Sequence, residues 1–389
     1  LTLERALALA EQYNPQLRAA MAQTEGARAG ILTARARPNP DVIVGAGRQR
    51  ATRDSAIPGP GQLFSFNQPL ELPAVRRSRI QAAEEGRTSS EFALSEMRLA
   101  VRAAVQQTFY QVLRRKGEVE LARENLKLIE DLQRRIQVQV KVGEAARLEL
   151  VRADAEVATA RLSVRSAQLQ LVNAISALRA AINAPQGESL DPQGKLDPAA
   201  ILPPLNELRE EVLARHPALS QAQAEIRRSA ARLENERALR MPQPSLRADF
   251  ERQPDLSLFR FGISLPLPLW NRRQGEIGEA VASLHQMNAV AEARRVEITA
   301  ALERAYGTYQ VASEQITALE EGTLKEAEAA LRAAEAAYRF GERGILEVLD
   351  AQRVLRTVRL DFLNAQFDRQ AALIELEQLQ AFGPGGRRP

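Results

Sequence analysis

Two histidines, His216 and His285, are the only imidazoles in the 389-residue chain, and cysteine is absent. The missing cysteine excludes a disulfide framework, thiolate metal sites and a cysteine nucleophile. Zinc, cobalt or nickel sites need His, Cys or carboxylates clustered at fixed spacing. His216 precedes Pro217 at a turn and His285 stands alone on a helical stretch, with no second ligand three or four residues from either. The four methionines, Met21, Met97, Met241 and Met287, are dispersed. There is no glycine-rich phosphate loop and no Ser, His and Asp grouping. The inventory predicts no catalytic residue, no metal site and no cofactor. Fifty-three basic side chains stand against 49 acidic ones, a net charge of +4, so the signs nearly cancel and no nucleic-acid partner is expected.

The elements that carry these side chains are long helices. About one residue in six is alanine, the best helix former. All twenty prolines fall outside 74–184 and 269–383. Proline in a helix interior costs about 3 kcal/mol, so its exclusion from such stretches is what long helices require. One glycine-bearing break interrupts each stretch, at Val142-Gly143-Glu144 and at Phe340-Gly341-Glu342. Glycine adopts the left-handed conformation that ends a helix, so both read as hairpin tips. The segments before them, 74–141 and 274–339, would each be roughly 100 Å long at 1.5 Å per residue. Only other long helices can cover a helix of that length. Leu121, Leu128, Leu132, Ile136 and Val140 recur at sevens and fours, and Ala327, Ala330, Leu331, Ala334, Ala337 and Tyr338 at threes and fours. Both are coiled-coil-like stripes. No apolar run is long enough for a transmembrane helix.

The plan occurs twice, offset by about two hundred residues, a period that points to two large duplicated units. Asn14-Pro15-Gln16-Leu17 matches His216-Pro217-Ala218-Leu219, and Pro38-Asn39-Pro40 matches Pro242-Gln243-Pro244. Phe64 to Leu70 matches Phe261 to Leu267, and Gly143-Glu144 with Leu148-Glu149-Leu150 matches Gly341-Glu342 with Leu346-Glu347-Val348. The expected organisation is a first repeat over 1–183, a linker over 184–206, a second repeat over 207–382 and a flexible tail over 383–389. Leu1 is not a start methionine and no signal sequence is visible, so the chain is expected to be processed or cut.

Four strands are predicted, at 41–50, 62–70, 245–252 and 257–266. Each has the length of a transmembrane β-strand. Val42 and Val44, Phe64 and Phe66, Leu246, Ala248 and Phe250, and Phe259, Phe261, Ile263 and Leu265 put apolar residues on one side of each. Alternation alone fits a soluble sheet packed on helices equally well. The long helices favour the membrane reading, and then four strands are too few to close a barrel. An open edge is not tolerated in lipid, so several chains would have to share one barrel.

At these residues the sequence resembles a known family. Leu1 to Ala10 with Asn14-Pro15, the duplicated plan, and Ala337-Tyr338-Arg339-Phe340-Gly341 through Glu347-Val348-Leu349-Asp350-Ala351-Gln352 resemble the TolC-type outer-membrane efflux proteins over essentially the whole chain. Pro266 to Gly275 resembles the heavy-metal resistance branch, the CzcC- and CnrC-like proteins. The resemblance implies a mainly α fold with membrane β. It would be a homotrimer, with a twelve-stranded barrel of four strands per chain in a Gram-negative outer membrane. A helical coiled-coil barrel would continue it into the periplasm. It implies a passive exit duct, not an enzyme, working with a periplasmic adaptor and an inner-membrane pump of the resistance–nodulation–division type. The cargo implied is divalent metal cations, or alternatively drugs or other small molecules. A periplasmic adaptor would need a lipoyl-like domain and only one hairpin, and a cytosolic coiled-coil scaffold would not need the strands.

The resemblance also carries residues over. Acidic residues six and nine positions after the second tip glycine would ring the entrance, and here they are Glu347 and Asp350. Three copies would set six carboxylates at a constriction, which focuses cations. Links that hold the entrance shut would involve Tyr338 and Arg343, with Glu149 in the place of the Tyr's acidic partner. Leu148 replaces a hydroxyl residue, so Arg343 would reach only backbone there. Val142, Gly143, Glu144, Phe340, Gly341 and Glu342 would dock the adaptor. Read without the resemblance, these carboxylates are a solvated helical face and the tips simple turns. Arg76, Arg77, Arg79, Arg272 and Arg273, where strand meets helix, read either as anchors at lipid headgroups or as solvation of a helix start.

Overall fold

The computed structural model describes residues 1–50, 57–184, 190–196 and 201–380. The expected tail over 383–389, and residues 185–189 and 197–200 of the expected linker, lie outside them. Element order is α1 (Leu3–Tyr13), α2 (Pro15–Arg35), β1 (Asp41–Gln49), β2 (Gly59–Pro69), α3 (Pro73–Val142) and α4 (Arg147–Ile182). Then come α5 (Leu205–Arg215), α6 (Pro217–Leu239), β3 (Ser245–Arg252), β4 (Ser257–Ser264), α7 (Gln274–Ala318), a π-helical turn (Leu319–Thr323), α8 (Leu324–Arg339) and α9 (Ile345–Gln378). The second series repeats the first, with its long helix interrupted by the π turn. The chain divides into two compact units: Leu1–Ala19, Ser95–His216 and Val296–Pro389, and Ala20–Leu94 with Pro217–Arg295.

The matched X-Pro dipeptides begin matched helices. Proline fits the first helical position because its missing N–H would have no partner there. Asn14 caps α2: its Oδ1 accepts from Gln16 N at 2.8 Å, and its Nδ2 donates to Ala181 O at 3.0 Å on α4. His216 stands before Pro217 in the same way and is buried. It sits in the wall of the fold, while His285 is exposed on α7.

In the first unit, Ala6, Leu9 and Ala10 of α1 pack with Val105, Phe109 and Val112 of α3 and with Leu178 and Ile182 of α4. A second cluster joins Ile129, Leu132 and Ile136 of α3, Ala153 and Val157 of α4, Ala327 and Leu331 of α8, and Ile345, Val348 and Leu349 of α9. Ile298, Leu302, Ala305, Tyr309, Ala312 and Ile316 are the buried stripe of α7, spaced by alternating fours and threes.

In the second unit the strands form one antiparallel sheet of order β1-β2-β3-β4. Val42 pairs with Phe66, Val44 with Phe64, Phe64 with Phe250, Phe66 with Ala248, Phe250 with Phe259 and Leu246 with Ile263. Directly paired residues stand on the same side, so four separate alternations merge into a single apolar face. That face is left bare: Phe261 is 77% exposed, and the extensive packing of each strand is with its neighbours in the sheet. The soluble sheet packed on helices is thereby set aside. The opposite face is mostly polar, with Ile43, Leu63 and Leu258 among its members, Ser65 Oγ donating to Asp249 Oδ1 at 2.5 Å and Arg260 pairing with Glu251 at 3.2 Å. β4 stops at Ser264, short of 266, because Pro266 has no N–H to give a ladder. β2 begins at Gly59, before Leu63 and Phe64 set its alternation.

Arg79 fastens the start of α3. Its guanidinium pairs with Glu71 and donates to Ala34 O and Ala36 O, each at 3.0 Å, capping α2 at its C-terminus.

Candidate functional site at the hairpin tips

Both tips close with the same backbone motif. At the first, Gly143 N donates to Val140 O at 3.2 Å and Glu144 N to Gln139 O at 2.9 Å, with Gly143 at φ +84°. At the second, Gly341 N donates to Tyr338 O at 3.1 Å and Glu342 N to Ala337 O at 2.9 Å, with Gly341 at φ +71°. This is the Schellman closure, which needs a left-handed residue just past the helix. Val142 and Phe340, the last residues before the glycines, are exposed, as are Glu144 and Glu342 after them. The next helices start without side-chain caps, behind Ala146 and Gly344. Their third residues are Glu149 and Glu347, where a carboxylate meets the positive end of the helix.

The two hairpins are tied together beside the tips. Tyr338 Oη donates to Gln139 Oε1 at 2.8 Å, so the residue whose carbonyl closes the first tip also receives the phenol of the second hairpin. Burial first, and then the negative charge of Glu149, raise the Tyr338 pKa above its ordinary value. Glu149 thus acts on Tyr338 through its field, while the hydrogen bond goes to Gln139.

Glu347 and Asp350 lie on the outward side of the first turns of α9, opposite buried Ile345, Val348, Leu349 and Gln352. Each has an arginine of its own chain nearby. Arg343 stands 3.9 Å from Glu347, and Arg353 stands 3.9 Å from Asp350 and 3.2 Å from Glu156 on α4. Arg343 therefore faces α9, and exposed Leu148 offers it nothing. Further along, Gln352 Nε2 donates to Asn125 Oδ1 on α3 at 2.8 Å, and Arg359 pairs with Glu124 and Glu328 at 3.3 and 3.0 Å. Gln139, Gln352 and Arg353 escape a reading of the sequence. The one visible signal is a polar residue inside an apolar stripe, as Gln139 is beside Ile136 and Val140.

Among the described residues no group of three His, Cys, Asp or Glu could hold a metal ion. What the site offers is two tips closed by glycine, a hydrogen bond between the hairpins, and carboxylates turned outward.

A sequence profile described as outer membrane efflux protein matches residues 6–184 and again 208–381. The chain belongs to the outer membrane efflux protein family. It is similar to the cobalt-zinc-cadmium resistance protein CzcC of Cupriavidus metallidurans, 30% identical over 367 residues, 94% of this chain and 86% of the relative. It is also similar to the pyoverdine export outer membrane protein OpmQ of Pseudomonas aeruginosa, 24% identical, over 95% of this chain and 82% of that one. In structure it matches CusC with a TM-score of 0.82 at 20% identity, over 97% of this chain and 91% of CusC. The efflux protein therefore has the fold of the TolC-type channels and is a passive duct, not an enzyme. It belongs to the Gram-negative outer membrane, with a large periplasmic part. Channels of this family are homotrimers that work with adaptor and pump partners. The adaptor and scaffold alternatives fall with that membership. No helix among the described residues is long and apolar enough to cross a membrane, and the sheet with its bare apolar face is the part suited to lipid.

Proposed function

We propose that three copies of this chain form the outer-membrane exit duct of a tripartite efflux system for divalent heavy-metal cations. The observation that carries the trimer is the sheet itself. Its outer strands, β1 and β4, each have a neighbour on one side only, and lipid does not tolerate open edges. Three such sheets joined β4 to β1 make twelve strands. The similarity to CzcC, a protein named for cobalt, zinc and cadmium resistance, supports the cargo. The matched element order supports reading 1–183 and 207–382 as duplicated repeats joined by 184–206.

At the tips, Val142, Gly143, Glu144, Phe340, Gly341 and Glu342 are the docking points for a periplasmic adaptor, which connects the duct to a proton-driven inner-membrane pump. Glu347 and Asp350 of three chains ring the entrance, and Tyr338, Arg343 and Glu149 belong to the links that hold it closed. The outward position of both carboxylates on α9 supports the ring. Metal selectivity lies mainly with the partners.

A second reading, export of small organic molecules, is favoured by the similarity to OpmQ, named for pyoverdine export. A strain lacking this protein separates the two. Under the metal reading it should lose resistance to individual divalent metals and regain it with the gene restored. Unchanged metal resistance, with loss of tolerance to organic compounds, would transfer the assignment to the second reading.

A further inference from the structure

The apolar face of the sheet does not end where the ladder ends. Phe259, Phe261 and Ile263 alternate along β4, and Leu265, Leu267 and Leu269 continue the same parity beyond its last residue, Ser264. Leu267 is 62% exposed and Leu269 60%. Trp270, next in the chain, is 90% exposed. Pro266 and Pro268 alternate with these leucines. Each removes a backbone donor that would be costly near hydrocarbon, and each holds φ near −65°, so the leucines stand out without strand partners. Leu269 N donates to Leu267 O at 2.9 Å, which turns the chain back just before the tryptophan.

The two following arginines part company. Arg273 has left-handed φ of +58°, and its Nε donates to Glu236 on α6 at 3.0 Å, so it fastens the start of α7. Arg272 is exposed and forms no ion pair among the described residues. At the matching junction after β2 the arginines are committed: Arg76 donates to Arg35 O, Arg77 to Pro73 O, and Arg79 pairs with Glu71. That junction carries no aromatic residue.

We infer that Leu267, Leu269, Trp270 and Arg272 form a foot seated in the periplasm-facing leaflet of the outer membrane. The leucines and the indole meet acyl chains and glycerol, and the Arg272 guanidinium meets lipid phosphate. The foot rests on the barrel reading proposed above and is continuous with the apolar face that such a barrel turns to lipid. An apolar body with a polar tip is what an interface of this kind selects, and a guanidinium matches phosphate oxygens in a fork. Lipid is a better occupant than a second copy of the chain. A neighbour joined at β4 would pair through the backbone groups of Ser257–Ser264, and the foot begins only after that ladder ends.

Trp270 is the only tryptophan, so intrinsic fluorescence reports this position alone. Full-length protein is reconstituted into phosphatidylethanolamine and phosphatidylglycerol vesicles doped with phosphatidylcholine brominated at acyl carbons 6,7 or 11,12, and floated with them. The shallow bromines should cut emission about twofold and the deep ones less, as for an indole at the interface. Arg272→Gln should reduce the dependence of that quenching on the phosphatidylglycerol fraction, with flotation retained. Quenching by aqueous iodide without quenching by brominated lipid would place the indole in water and overturn the foot. Quenching by neither would place it under a neighbouring chain and overturn it equally. In both cases a conducting channel in the same vesicles would leave the duct assignment standing, whereas protein that fails to float would reject both.

Discussion

Gly143 and Gly341 hold the tips in a backbone region that a Cβ disfavours, yet no atom outside their own turns lies within 4 Å of where a Cβ would go. The penalty for Gly341→Ala is therefore conformational, about 1 kcal/mol, and should lower the melting temperature of the purified channel by about one degree. Gly26 has the same open space inside helix α2 with ordinary dihedrals, so Gly26→Ala should shift the melt the other way by a similar amount. Equal signs for the two would contradict the backbone argument. Tyr338 adds a pH dependence. Its pKa is raised in the folded state by burial and by Glu149. Its contribution is then complete below the unfolded phenol value, about 10, and is lost as pH rises through the folded value. Tyr338→Phe should flatten the alkaline limb of a stability–pH profile and leave the neutral region lower by roughly 1 kcal/mol, for the hydrogen bond to Gln139. A wild-type limb in the variant would mean that another group titrates there.

The π turn has a specific geometric task. The packed stripe runs Ile316, Leu319, Leu324, Ala327 and Leu331, so one step is five residues where a coiled-coil stripe takes four. A single π turn absorbs one additional residue and keeps the stripe on one side. Without it, α8 would be rotated by about 100° and Ala327, Leu331 and Tyr338 would leave the core. Deleting Gly322 should thus be tolerated, because a continuous α-helix then restores four-residue spacing. Deleting Arg304, in the regular part of α7, should abolish folding by turning everything after it. Trimer yield and circular dichroism of the two deletions check this, and equal damage from both would reject the phase argument.

A single chain leaves two ladder edges and a wide apolar face bare, which lipid and water respectively penalise. For the trimer proposed above, light scattering in detergent should return three times 43.0 kDa after subtraction of the detergent. A mass of one chain with intact helices would overturn the shared barrel. The acidic entrance proposed above would belong to the same assembly, since each chain contributes Glu347 and Asp350 with Arg343 and Arg353 nearby. If the proposed ring exists, Glu347→Ala with Asp350→Ala should raise single-channel conductance and weaken block by divalent cations, because repulsion among its six carboxylates and their hold on cations would both disappear. Unchanged conductance and block would remove these residues from the gate.

Helix extent and tip position were legible from the order of residues because their signals are local: absent prolines, apolar residues at threes and fours, and a glycine where the chain must turn left-handed. The alternation of each strand was legible too, for side chains of an extended chain point up and down in turn. The common apolar face was not, because Phe64 meets Phe250 across a ladder that joins segments far apart in the chain. Nor were the bonds of Tyr338 to Gln139 and Arg353 to Glu156, or the need for a π turn at Leu319–Thr323. Each depends on which surface a distant helix presents, and that is settled by packing, where a single register or phase satisfies all four helices at once.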